Sequence, residues 1–156
     1  MERGAHPDRR WRLARPRRCG TAGSGLVGVV VACERPRRVD SRSVCGWLVD
    51  TYCLGVKDAL GPLTMDRHDV RRFVECFFTP FDGVPVDAPI ELARGLVGGG
   101  LAYARGLGFE PAPDFEPTAE HLGPLSGSSG IRFGHDGRPF YVQGPYDNAD
   151  RIMRTL

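Results

Sequence analysis

Apolar positions along this chain follow two periods. Within Arg42–Leu54, Cys45, Trp47, Val49, Thr51 and Cys53 alternate with Leu48, Asp50, Tyr52 and Leu54, the two-residue period of a strand. Both sets are largely apolar, so this strand is expected to be central and covered on both sides. The valine-rich run Leu26–Glu34 is its expected hairpin partner across the polar connection 35–41. Gly55 and Gly61-Pro62 then bracket a turn or a single helical turn.

The period changes at Val70, Phe73, Val74 and Phe77, which predict a helix over Met65–Phe78 with Thr64 as N-cap and Asp66 in its first turn. Thr79-Pro80 ends it, because the residue before proline disfavours helix. Phe81–Asp87 reads as a loop. A second helix opens at Asp87-Ala88-Pro89 with the stripe Ile90, Ala93, Leu96, Val97, Leu101, Ala104 and Leu107. Gly98-Gly99-Gly100 lie inside it. Each glycine costs about 1 kcal/mol relative to alanine, so their presence points to close packing against another segment. Residues 109–130 are rich in Pro, Ser and Gly, with a short helix expected around Thr118–Leu122. Asp136-Gly137 between Ile131–Phe133 and Phe140–Gln143 is a hairpin signal. Asp147 is the expected N-cap of a final short helix, Asn148–Thr155. The expected order is β-β-α-α-β-β-α. It implies an α+β fold with a mainly antiparallel sheet from two hairpins, two central helices and a short C-terminal helix.

Composition narrows the class. With 156 residues and 41% hydrophobic content, the chain fills one core without metal or disulfide staples. The organisation expected is a disordered Arg-rich tail, residues 1–20, and one domain over 21–156. No apolar run approaches the roughly 18 residues of a membrane span. Charge is unevenly placed. Residues 1–18 hold seven Arg against Glu2 and Asp8, or +5, and the remainder holds 14 basic and 17 acidic residues, or −3. Weak nucleic-acid contact is therefore expected through the tail, and a protein partner is left open. Five cysteines at irregular spacing do not form a disulfide framework, and no C-x-x-C pair points to zinc. Reduced thiols in a cytoplasm are the expectation. The competing reading is export, since Val30-Val31-Ala32-Cys33 behind an apolar run and upstream arginines resembles a lipoprotein cleavage box, with Cys33 as the anchor.

One lysine stands among 20 arginines: Lys57. Arginine cannot give up its proton in a protein and lysine can, so a solitary lysine marks a position where the two are not equivalent. Lys57 falls in the densest cluster of reactive side chains. Asp50, Lys57 and Asp58 are the candidate catalytic residues of a small hydrolase or nuclease-like enzyme, the lysine neutralising charge on a leaving group. Tyr52 and Cys53 are candidate binding residues. The structural alternative is an ion pair holding a turn to its strand. Gly55 stands where nucleases with an acid two residues before the lysine carry that acid. Two weaker constellations are a thiol nucleophile, Cys53 or Cys76, with His68, His121 or His135 as base, and a metal site from His121, His135 and Asp136. The glycines of Gly20–Gly25 precede a strand, whereas a phosphate loop follows one, so no cofactor is assigned.

The segment Val49-Asp-Thr-Tyr-Cys-Leu-Gly-Val-Lys-Asp58 resembles a V-D-x-Y-C-L-G-V-K-D signature found in a family of uncharacterised bacterial proteins. Leu101–Pro111 and Ile131–Phe140 are similar to the same group. The resemblance covers roughly residues 26–156. It implies a boundary behind the arginine-rich tail and carries over no catalytic role.

Overall fold

Alternation decides the centre of the molecule. In β2 (Leu26–Glu34) and β3 (Arg42–Asp50), successive side chains leave the sheet on opposite sides. Val29, Val31, Cys45, Trp47 and Val49 enter one buried cluster, and Val30 and Val44 enter another. The computed structural model describes residues 10–14, 25–35, 37–81, 84–125 and 130–156, the first of these as backbone.

Among the described residues, five strands form one antiparallel sheet. β1 is Arg10–Ala14, β4 is Gly55–Met65 and β5 is Val86–Asp87, and the spatial order is β4-β3-β2-β1-β5. α2 (Ile90–Gly106) and a 3₁₀ helix (Pro113–His121) cover the first face with Ala93, Leu96, Val97, Leu101, Phe115 and, just beyond, Leu122. α1 (Arg67–Phe78) covers the second with Val74 and Phe78. Trp47 is fully buried, and its indole Nε1 donates to Thr118 Oγ1 at 2.8 Å, which satisfies the one polar atom the ring carries inward. The class is α+β.

The expected β2–β3 hairpin forms across residues 35–41, and the element order departs from expectation just after it and at the second hairpin. Residues 55–65 form a strand, not a turn. Gly61-Pro62 sits at a register shift between the Val44–Leu63 and Gly46–Leu60 pairs, and β4 pairs only with β3, so proline is accommodated on an edge. The strand continues through Met65, so α1 begins at Arg67 with Asp66, not Thr64, as its N-cap. The Asp66 carboxylate accepts from the Asp69 amide at 2.8 Å. The Asp136-Gly137 turn does form, with φ of 51° and 77° and reciprocal bonds between His135 and Arg138. Its flanks do not extend into strands. They hydrogen-bond instead to the β3–β4 turn, Gly134 N to Thr51 O at 2.8 Å and Phe140 N to Tyr52 O at 3.1 Å. α3 is Ala149–Thr155 and is capped by Asn148, whose side chain accepts from Arg151 N, leaving Asp147 for another task.

The expected tail also contributes to the sheet. Arg10–Ala14 pairs with Gly28–Ala32 on one side and with Val86 and Asp87 on the other. The sequence Arg-Trp-Arg-Leu has the strand period of two, masked by its high charge. The rest of residues 1–20 lies outside the described residues. Cys33 sits inside β2, opposite Ser43, so the cleavage that would make it a lipid anchor would remove Leu26–Ala32, including the buried Val29, Val30 and Val31. Among the described residues no helix is long and apolar enough to cross a membrane.

Candidate functional site

β3 ends at Asp50, and residues 51–54 turn the chain into β4. Asp50 builds that turn. One carboxylate oxygen accepts from Tyr52 N at 2.9 Å and the other from Leu54 N at 3.1 Å. The side chain is buried at 4% exposure. Burial pushes its carboxyl up, against the lowering influence of the Tyr52 and Leu54 amides and of the Lys57 ammonium. Thr51 ties the same turn to β2, its amide and hydroxyl both donating to Gly25 O at 2.9 and 2.7 Å. Tyr52 is clamped between Gly25 and the C-terminal segment, edge-on to His135 at 5.2 Å and to Phe140 at 6.2 Å. Cys53 is fully buried.

Lys57 occupies a bulge. Leu48 pairs with Asp58 and Val49 with Val56, so Lys57 is the extra residue of β4, and such a residue can aim its side chain away from the ladder. Its Nζ donates to Asp147 Oδ2 at 3.0 Å. The same oxygen accepts from Gly144 N at 2.7 Å and from Tyr141 OH at 3.2 Å. Burial would raise the Asp147 carboxyl, but the Gly144 amide, Lys57 and Tyr141 together hold it below its ordinary value. Asp58 is exposed and gives a carboxylate oxygen to Ala59 N at 2.9 Å. Asp50 and Lys57 feel each other's charge, yet the hydrogen bonds of Asp50, Lys57 and Asp58 go to three different places. Asp50 shapes a turn, Lys57 holds residues 131–147 across that turn as a strap, and Asp58 stands apart. An open depression of about 610 Å³ adjoins the strap, lined by Gln143, Tyr146, Asp147, Asn148, Ala149 and Asp150. Neither Asp50 nor Lys57 lines it.

The thiol and metal constellations separate in the same way. Burial pushes the Cys53 thiol up to about 11, helped by the Asp50 carboxylate. Burial and the neighbouring Cys33 push Cys45 up to about 12. Thiolates are the reactive form, so iodoacetamide under native conditions is expected to alkylate exposed Cys76 and to spare Cys45 and Cys53. Peptide mapping checks this, and Cys53 labelling at the Cys76 rate would mean that the strap opens freely. His135 packs on Tyr52, whereas His121 Nε2 lies 2.7 Å from Ser43 Oγ. These two histidines sit near opposite ends of β3, about 20 Å apart at strand rise, so they share no metal with Asp136. His68 joins Asp66 and Asp69 in an exposed group, with ligand atoms within 4.8 Å of one another, where the Asp66 carboxylate already caps α1.

Ser43 and Tyr141 carry no signal in the sequence, and Asp147 reads there only as a helix cap. Lys57 and Asp147 are 90 residues apart, and Ser43 and His121 are 78 apart. No local pattern joins either pair.

No family model, curated protein or solved structure matches this chain.

Proposed function

We propose that this domain binds a polyanion, nucleic acid above all, through an arginine-lined end of its sheet. The observation that carries the reading is the register of β1. Arg10 lies opposite Ala32, which puts Arg10 at the end of the sheet from which the β2–β3 loop projects. That loop carries Arg35, Arg37 and Arg38, the last two exposed. Arg35 donates to Thr64 Oγ1 at 3.4 Å, and Arg67 of α1 meets the loop at Asp40, 3.5 Å away. Arg71 follows one helical turn later. Of the acids at this end, Glu34 and Asp40 are matched by Arg42 and Arg67, and exposed Asp66 and Asp69 stand beside them at the start of α1. Planar guanidinium groups suit phosphate oxygens, and contacts of this kind carry no sequence preference. Free thiols at Cys45, Cys53 and Cys76 accord with work in a reducing compartment such as the cytoplasm.

Fluorescence anisotropy of a labelled mixed-sequence DNA duplex, titrated over a range of salt, tests this. Affinity is expected to fall linearly on a log–log salt plot. Arg37→Glu with Arg38→Glu is expected to lower the slope by about 2 and to weaken binding at least about tenfold. Binding that is absent at low salt, or unchanged in that variant, overturns the reading.

A further inference from the structure

The Ser43–His121 pair lies on the α2-covered face, away from the Lys57 strap. Ser43 Oγ and His121 Nε2 are 2.7 Å apart, within the reach of a nucleophile and its general base. Both residues are half-buried, not sealed in the core. The frame around them is stiff. Ser43 is held in β3 between Cys33 of β2 and Thr64 of β4. His121 ends the 3₁₀ helix and is anchored on both sides. Three residues earlier, buried Thr118 takes the Trp47 indole hydrogen. One residue later, the carbonyl of fully buried Leu122 accepts from Arg94 Nε. Placement of this kind is what a reacting pair needs, since small errors in geometry cost much of the rate. A positive charge stands close by. The Arg35 guanidinium bonds to Thr64, and Thr64 is the cross-strand partner of Ser43, so the two residues lie about 5 Å apart between Cα atoms.

We propose that Ser43 is a nucleophile activated by His121 and that it accepts carboxylic esters. Ser43 Oγ attacks the ester carbonyl carbon while its proton passes to His121 Nε2. The carbon–oxygen bond to the leaving alcohol breaks, and the imidazolium returns the proton to that oxygen. Water then attacks the acyl-serine with His121 again as base. The carboxylic acid leaves and Ser43 is restored. A single guanidinium matches the single negative charge of the tetrahedral intermediate, whereas a transferring phosphoryl group calls for several cations.

A biotin-linked fluorophosphonate tests the assignment on the full chain. Ser43 Oγ bonds to phosphorus, the phosphorus–fluorine bond breaks, and the serine proton leaves through His121 with the fluoride. Tryptic mass spectrometry is expected to find the adduct on Ser43, none in Ser43→Ala, and labelling slowed about 100-fold or more in His121→Gln. p-Nitrophenyl butyrate hydrolysis is expected to fall in step in both variants. Circular dichroism identifies a His121→Gln chain that fails to fold, and in that case the wild-type and Ser43→Ala results decide. A folded wild-type protein with no adduct on Ser43, or hydrolysis unchanged in Ser43→Ala, overturns the proposal. Nucleic-acid affinity is not read in this assay, so its outcome is independent of the polyanion reading.

Discussion

Gly55→Ala is expected to cost about 2–5 kcal/mol, a large part of the roughly 5–15 kcal/mol that holds a domain of this size together. Two effects add. Gly55 has φ of +67°, where an L side chain costs about 1–2 kcal/mol. A Cβ there would also sit 2.6 Å from the Gly100 carbonyl oxygen and 2.8 Å from Ala104 Cβ. α2 would have to move off the sheet, and overpacking of this kind costs about 1–3 kcal/mol. The close approach is mutual, since Gly100 in turn lies against Val49 and Gly55. Urea denaturation read by Trp47 fluorescence measures the loss. Gly106→Ala, in the same helix with nothing within 4 Å of the added methyl, is expected to gain up to about 1 kcal/mol. A Gly55→Ala midpoint within error of wild type would mean that α2 does not seat on this turn.

Asp147→Ala is the second large effect, expected at about 2–4 kcal/mol. It leaves the Lys57 ammonium, the Tyr141 hydroxyl and the Gly144 amide without the oxygen they share, and the ion pair is mostly buried, at 14% and 11% exposure. Lys57→Met is expected to destabilise comparably. The double variant Lys57→Met/Asp147→Leu should cost clearly less than the sum, because no charge is then left alone. Limited proteolysis should cut between residues 131 and 147 sooner in either single variant. Additive losses would show that the pair does not hold the strap. The acid dependence follows from the two carboxyls. Asp147 is held below its ordinary value in the fold, so its contribution is full above the unfolded pKa and is lost as pH falls through the folded one. Asp50 is raised by burial, so its contribution is full below the unfolded pKa and is lost as pH rises through the raised one. Asp147→Ala should therefore flatten the acid limb of a stability–pH curve and leave the opposing Asp50 limb in place.

Local chemistry was legible wherever a residue's neighbours in sequence are also its neighbours in space. The stripe Val70, Phe73, Val74 and Phe77 places α1 because helix packing reads every third or fourth residue. Asp136-Gly137 places its turn because both residues accept positive φ. Gly98, Gly99 and Gly100 announce close packing and meet Leu125, Phe133 and Val49 respectively. β4 escapes notice because Gly61-Pro62 looks like a break when the edge position that tolerates it is unknown. The flanks of the Asp136-Gly137 turn look like strands because their alternation is real, yet their hydrogen bonds go to Thr51 and Tyr52. The candidate site follows the same rule. The segment around Asp50 and Lys57 carries a dense set of polar bonds, and an ion pair holding a turn to its strand is one of the readings the sequence offers. The identity of the partner was not legible, because Asp147 arrives from the far end of the chain and looks by itself like a helix cap.

That arrangement has a consequence for synthesis. The five described strands lie within residues 10–87, so they leave the ribosome before the segment that neutralises Lys57. A chain stopped short of residue 131 holds every described strand, yet its one lysine faces an unoccupied seat and the carbonyls of Thr51 and Tyr52 lose their partners. Residues 131–147 thus report on the completeness of the sheet before them, and a product ended ahead of them carries its defect at the β3–β4 turn, where proteases can find it.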